Sequence, residues 1–238
     1  MPRRIIARFT ERLKPYRHVI WDWNGTILDD VHIAVDAIGE VAAKHNLPRP
    51  TVHQYRQYFG FPVADYYRHL GFDFSRVSLK EIADQFHAVY EQRVHQGTLF
   101  RGMFEILECL AQDKLQSILS AAAQEHLEAI TARFGLHVHF THIFGQSDNL
   151  AASKITRGHE LMAAAGVAPA QTVLIGDTDH DLEVGRALGI DVMLIGDGHQ
   201  QAERLLALHH NVLPSRFAEH PENSENSGNS ERSRKFEN

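Results

Sequence analysis

The run Val19-Ile20-Trp21-Asp22-Trp23-Asn24-Gly25-Thr26-Ile27-Leu28-Asp29-Asp30 opens on apolar, strand-forming residues and closes on a polar turn. It reads as a buried strand that delivers the carboxylate of Asp22 to its C-terminal end. A carboxylate so placed can bind a hard cation and attack phosphorus, while Gly25, with Thr26 beside it, lets backbone N–H groups approach a phosphate. An Asp before Gly-Thr is also ordinary turn chemistry, so this motif alone leaves both readings open.

Three further pieces accompany it. Gln116-Ser117-Ile118-Leu119 runs into Ser120-Ala121-Ala122, where a hydroxyl and backbone N–H groups can hold phosphate oxygens, although a lone Ser there also serves as a helix cap. Gln124 and Glu125 open the helix that follows. Lys154 starts the helix-like stretch Ile155 to Ala165, where the helix dipole disfavours a cation, so it faces either an anion or solvent. Thr172-Val173-Leu174-Ile175-Gly176-Asp177 is a strand ending in Gly-Asp, and Asp181 follows one helical turn later. Two carboxylates at that spacing share a face and can bind or orient a metal.

The elements that must position these groups are short β-branched runs separated by helix-period segments: His18 to Trp23, Gln116 to Leu119, His142 to Phe144, Thr172 to Ile175 and Asp191 to Ile195. Such alternation predicts an α/β fold, a doubly wound, Rossmann-like parallel sheet whose ligands gather at the C-terminal strand ends. Between Val31 and Gln96 no strand pattern occurs. Apolar Val31, Ala34, Val35, Ile38, Val41 and Ala42 share one helical face, and Pro48, Pro50, Gly60, Pro62 and Gly71 punctuate the rest. A Ser78–Glu81 capping box opens the last of these helices. The expected organisation is an N-terminal helical extension (1–17), a catalytic core (18–30 and 97–213), an inserted helical cap (31–96) and a disordered polar tail (214–238).

The four motifs, in this order and each at a strand end, resemble the haloacid dehalogenase superfamily across roughly residues 17 to 198, and in particular its capped phosphatases of the phosphoglycolate phosphatase type. The resemblance implies that Asp22 is a nucleophile that becomes an aspartyl phosphate and that Asn24 contributes its backbone carbonyl to a magnesium ion. It implies that Ser120 and the N–H of Ala121 bind the transferring phosphoryl group, that Lys154 neutralises it, and that Asp177 and Asp181 complete and support the metal site. Charge logic agrees, because a phosphate monoester and a carboxylate repel until Mg2+ and a lysine cancel charge. Dehalogenases of the superfamily need no metal and no such acidic cluster.

One position departs from the pattern. The phosphatases carry a second Asp two residues after the nucleophile as general acid and base, and here that residue is Asn24, which cannot shuttle a proton. Good leaving groups such as acyl phosphates or anhydrides, a substitute proton donor such as a cap histidine, or a slow phosphate-binding regulator each answer that loss. Under the leaving-group account, Asn24→Asp gains turnover on alkyl phosphates. A phosphonate hydrolase also lacks the second Asp but needs a cap lysine for a Schiff base. The only lysines from Val31 to Gln96, Lys44 and Lys80, read as solvated. In the cap, Phe59-Gly60-Phe61-Pro62, Tyr66, Tyr67 and His69 are expected over the pocket, with Arg68 a second contact to phosphate or carboxylate, although aromatic residues at helical spacing also pack.

Composition narrows the classes. A net charge of −6 gives no general attraction to nucleic acid or an anionic membrane, and the single Cys109 suits a reducing cytoplasm. The basic amphipathic start, with Arg3, Arg4, Arg8, Arg12, Lys14 and Arg17 around Ile5, Ile6, Phe9 and Leu13, reads as a helix packed beside the first strand, or else as a transit or membrane-surface segment. His137, His139 and His142 alternate and lack helical metal spacing, which argues against zinc. The expected partner is a small phosphorylated substrate, with no nucleic acid and no membrane, and the sequence carries no signal of oligomeric state.

Overall fold

Successive residues of a strand face opposite sides, so a strand buried on both faces must be apolar throughout. The chain satisfies this repeatedly. A computed structural model describes residues 2–146 and 154–216, with side chains described from residue 6 onward. Helix α1 (Pro2–Leu13) precedes β1 (His18–Trp21) and β2 (Leu28–Asp29), and the insertion supplies α2 (Val31–Lys44), α3 (Val52–Tyr58), α4 (Val63–His69) and α5 (Leu79–Val94). The chain returns through β3 (Thr98–Leu99), α6 (Met103–Leu110), β4 (Leu115–Ala123), α7 (Gln124–Arg133) and β5 (His142–Gln146). It ends in α8 (Lys154–Ala165), β6 (Thr172–Gly176), α9 (Asp179–Leu188), β7 (Asp191–Ile195), α10 (Ala202–Leu208) and β8 (Val212–Leu213).

Six strands form one sheet in the order β5-β4-β1-β6-β7-β8, and every pairing is parallel. Val19 and Trp21 of β1 and Val173 and Ile175 of β6 share one core cluster with Phe9, Leu13, Met103 and Leu107. Ile20 and Leu174, one step along, belong to the opposite cluster with Leu161, Val184 and Leu188. Helices therefore cover both faces, as a doubly wound sheet requires. Strand β4 runs past the expected end at Leu119 to Ala123, and its register against β5 shifts between Leu119 and Ala123. A small antiparallel pair, β2 with β3, flanks the insertion and had no signal in the sequence beyond two residues per strand.

The insertion is helical, as its periodicity predicts, and has a core of its own from Val31, Ile38, Tyr55, Tyr66, Tyr67, Phe72 and Ile82. Ser78 accepts the N–H of Glu81 at 3.1 Å, one half of the expected box, while Thr51 and Gln54 form a complete box at the start of α3. The apolar side of α1 is consumed by the core: Phe9 and Leu13 are buried, and Phe9 lies 6.0 Å from Trp21. Arg12 donates to Asn211 at 3.2 Å. That packing matches the helix-beside-the-strand reading. Among the described residues no helix is long and apolar enough to cross a membrane.

The expected tail begins too early. Arg216, within it, is fully buried, donates to the carbonyls of Thr26 (2.7 Å) and Gly25 (3.0 Å), pairs with Asp197 (2.7 Å) and lies over the Phe100 ring. A guanidinium with acceptors on several sides and a ring beneath it tolerates burial that composition alone disfavours. Residues 217–238 lie outside the described residues.

At the opposite edge from the expected chemistry, His18 is buried with Nε2 on Ser117 Oγ at 2.9 Å and no partner for Nδ1. Burial, aided by repulsion from His142, lowers its pKa from 6.5 to about 4. The unfolded chain therefore binds a proton that the fold refuses as pH drops below 6.5, so stability contributed by neutral His18 is intact above that pH and lost toward pH 4. Urea unfolding at pH 7.5 and pH 5 should show about 2 kcal/mol of pH-dependent loss that His18→Gln abolishes.

Candidate active site

Register brings the motifs together. Trp21 pairs with Ile118 on one side and with Ile175 on the other, so Asp22 lies one residue, and Ser120 and Asp177 two residues, past the same rung of three adjacent strands. The three side chains emerge at the C-terminal sheet edge, with Asp181 one turn into α9. Suitable ligand atoms of Asp22, Asp177 and Asp181 lie within 4.8 Å of one another, and all three residues are buried.

Lys154, the first described residue of α8, reaches across them. Its Nζ donates to Asp22 Oδ1 at 2.5 Å and to Asp181 Oδ1 at 2.6 Å. Burial alone would lower the lysine pKa, but Asp181 and Asp22 outweigh it and hold the ammonium charged. For Asp22 the balance goes the other way: burial raises its pKa, Lys154 opposes, and the neighbouring Asp181 and Asp177 add to the rise. Asp177 is likewise pushed up by burial, with the His199 charge opposing.

Asp181 has little capacity left. Its Oδ2 accepts from Thr178 Oγ1 (2.7 Å), Thr178 N (3.0 Å) and Asp177 N (3.2 Å) while Oδ1 holds Lys154. Those bonds and Lys154 depress its pKa although burial alone would raise it. Asp181 therefore anchors Lys154 and the Asp177 turn. Thr26 is fully buried with its hydroxyl on Asp177 Oδ1 at 3.1 Å, which orients that carboxylate rather than a phosphate. Gly25 sits at φ +71°, where a Cβ would collide with Asp177 Oδ2 and His199 Cδ2. Its N–H is already shared by Leu28 O (2.9 Å) and Asp30 Oδ1 (2.8 Å), so the turn is used to fold the site and not to cradle an anion.

Ser120 is buried with Oγ accepting from Ala122 N at 3.1 Å, and Ala121 beside it is exposed. Gln124 is tied to β5 through Gly145 N and Ile143 O. Arg68 is not among the groups gathered here. Its guanidinium is paired with Asp65 one turn earlier at 2.5 Å, lies over Phe74, and its side chain is 59% exposed. Tyr66 and Tyr67 are packed inside the cap core. Phe59 does reach the site, with its ring 5.6 Å from that of His199.

Sequence reasoning passed over several residues. Asp30 is buried and accepts from Gly25 N, Asn24 Nδ2 (3.0 Å) and Tyr90 OH (2.5 Å), with His199 Nε2 at 3.4 Å. His199 donates its backbone N–H to Asp177 Oδ2 at 2.5 Å, and its Nδ1 meets Tyr55 OH at 3.0 Å. Burial opposes the charged ring, but Asp30 and then Asp177 raise its pKa to about 9, so it is an imidazolium at neutral pH. The signal for His199 was present: Gly196-Asp197-Gly198-His199 follows a strand end, where ligand-binding loops belong.

Counting Asp22, Asp30, Asp177 and Asp181 against Lys154 and His199 leaves two excess negative charges when all are ionised. A donor set of hard oxygens with that imbalance fits one divalent cation. Asp22, Asp177 and Asp181 are the buried carboxylates whose ligand atoms lie close enough together to share one.

The sequence profile of the haloacid dehalogenase-like hydrolases matches residues 19–195. The chain belongs to that family. Among haloacid dehalogenase-like proteins of known structure, one from Streptococcus pneumoniae superposes with a TM-score of 0.72 at 21% identity, over 84% of this chain and 93% of that one. Tyrosine-protein kinase PtkA of Mycobacterium tuberculosis is 26% identical over 188 residues, 78% of this chain, and this chain spans 64% of the kinase's length. A structure of that kinase superposes with a TM-score of 0.67 at 25% identity, over 79% of this chain and 87% of that one. A 5′-nucleotidase of Pseudomonas aeruginosa is 24% identical over 200 residues, 81% of this chain and 88% of the nucleotidase.

Within this haloacid dehalogenase-like site, removing the lysine strands two buried carboxylates. Lys154→Met should lower unfolding free energy in chelator by on the order of 3 kcal/mol, as loss of one partner from a buried pair does, and millimolar magnesium should restore part of it. Urea denaturation with and without the metal reads both effects.

Proposed function

We propose that the chain is a magnesium-dependent phosphohydrolase that acts on a small phosphorylated metabolite through an aspartyl phosphate on Asp22. The observation that carries this reading is the Lys154 ammonium bridging Asp22 and Asp181 with Asp177 within 4.8 Å. Oδ of Asp22 attacks phosphorus, the P–O bond to the leaving group breaks, and Lys154 holds charge that builds on the nucleophile and phosphoryl oxygens. Ser120 and the Ala121 N–H would take the remaining oxygens. Asp22, Asp177 and the Asn24 carbonyl would hold the cation, which when bound supplies the additional charge cancellation that in-line attack on a phosphate requires.

Asn24 marks the substrate. Its amide faces the acceptor-only Asp30 carboxylate, so its N–H groups are spent on Asp30 and Tyr90 and none of them is a titrating acid. Leaving groups that need little protonation, such as aryl phosphates, acyl phosphates and anhydrides, suit such a site. The kinase likeness favours a second reading, in which the Asp22 phosphoryl group passes to a hydroxyl acceptor instead of water. Phosphonate hydrolysis is not supported by the cap lysines: Lys80 is 83% exposed on Asp84, and Lys44 is exposed at the end of α2.

Phosphate release from an aryl phosphate should require magnesium and fall by on the order of 10³-fold in Asp22→Asn. Activity persisting in that variant sinks the nucleophile. The ratio of aryl to alkyl phosphate rates should exceed that of a family member with both aspartates by roughly 10²-fold or more, the usual worth of a general acid. Adding a nucleoside triphosphate with a phenolic acceptor separates transfer from hydrolysis by where the label ends.

A further inference from the structure

Asn24 is half-buried beside a carboxylate that the proposed chemistry does not use. Asp30 Oδ2 accepts from Asn24 Nδ2 at 3.0 Å and from Tyr90 OH at 2.5 Å, and that hydroxyl in turn accepts from Asn24 Nδ2 at 2.8 Å. The three groups close a ring of hydrogen bonds in which position 24 donates to both partners. A carboxylate there has no N–H to offer either partner, and it would place a second negative charge against Asp30. The other Asp30 oxygen accepts the N–H of Gly25 at 2.8 Å, so the same side chain also fixes the turn that follows Asp22.

Tyr90 belongs to the cap. It sits on α5, stacked on Phe86, and its hydroxyl donates to the Asp30 carboxylate. The cap is seated by further bonds to the loop after β7: Arg56 donates to the carbonyls of Gly198 (2.8 Å) and Asp197 (2.9 Å), and Gln200 donates to Phe59 O at 3.1 Å. Tyr55 holds His199, whose ring also faces Asp30.

We propose that Asp30 is a positioning residue matched to Asn24: its carboxylate fixes the Asn24 amide and the Gly25 turn, and through Tyr90 it ties their geometry to the seated cap. Asn24 is then one half of a pair and not a vacant acid position. Restoring a carboxylate at 24 alone works against the site, which reverses the gain expected from the sequence for Asn24→Asp. The carboxylate and the amide can exchange places only together. The kinetic part of this inference rests on the phosphohydrolase reading, whereas the pairing itself does not.

The test compares the full chain with Asn24→Asp, Asp30→Asn, the double variant and Tyr90→Phe. Melting in chelator reads the pair without any turnover. Asn24→Asp should lower Tm by roughly 4 °C or more, and adding Asp30→Asn should recover most of that loss. Melting effects that simply add, or a double variant no better than Asn24→Asp, overturn the pairing. With an aryl phosphate and magnesium, Asn24→Asp should lose at least tenfold in kcat and the double variant should regain at least tenfold over it. Tyr90→Phe, which keeps the ring, should lower kcat several-fold with KM within about twofold; an unchanged kcat removes the cap from the proposal. If the wild-type chain releases no phosphate, the phosphohydrolase reading fails while the melting cycle still decides the pair.

Discussion

Too much negative charge at one sheet edge is the constraint around which this molecule is built. Parallel pairing with a common rung sends Asp22 and Asp177 out of adjacent strands, and the first turn of α9 adds Asp181. Carboxylates at such separation in a buried site repel strongly, and each would rather be protonated than share the space. The fold answers with oriented donors. Lys154 spans two of them, Thr178 and the Asp177 backbone saturate Asp181, Thr26 and the His199 backbone hold Asp177, and Gly25 leaves room because it has no side chain. With Asp22, Asp30, Asp177, Asp181, Lys154 and His199 all ionised, the compensation falls short by two charges, the charge of one divalent cation.

The same constraint explains why the catalytic turn is supported from so far away in sequence. Arg216, nearly two hundred residues on, donates to the carbonyls of both Gly25 and Thr26 while stacked on Phe100. From above, Asp30 collects the Gly25 N–H, and the cap approaches that carboxylate through Tyr90. Core and insertion thus meet at charged groups inside the site and not across an apolar seam alone. The contacts of Tyr90 end on Asn24 and on Asp30, which holds the Gly25 turn just after Asp22.

Much of this was legible in the residues. β-Branched runs marked five strands and helical periodicity marked the insertion, since both signals are local and follow from which faces must be buried. Asp22, Lys154, Asp177 and Asp181 were readable because each stands at or near the end of an element whose direction the pattern already implied, and Ser120 because it follows the apolar run of β4. What escaped notice depends on which partner a side chain takes, and composition does not say. Arg216 lies in a polar segment whose composition reads as disordered, and only its partners make it a core residue. Arg68 looked like a ligand for an anion until Asp65, three residues earlier, took its guanidinium. Asp30 was visible beside Asp29, but nothing local says that its carboxylate turns back onto Asn24. Strand β4 outran its apolar run because register against β5, not composition, decides where pairing stops.

A hydrolase and a kinase among the relatives need not imply different sites. Hydrolysis and phosphoryl transfer both begin with a phosphoryl donor whose leaving group departs, and they differ in which oxygen attacks phosphorus next. A second aspartate beside the nucleophile would favour water, since it removes the water's proton as attack proceeds. In the proposed cycle Asn24 gives up that service, so water loses its advantage over any acceptor that brings its own route for the proton. In that proposed cycle the fate of the phosphoryl group on Asp22 would depend on which acceptor reaches it, and the Tyr90 contact with Asp30 places the insertion beside that step.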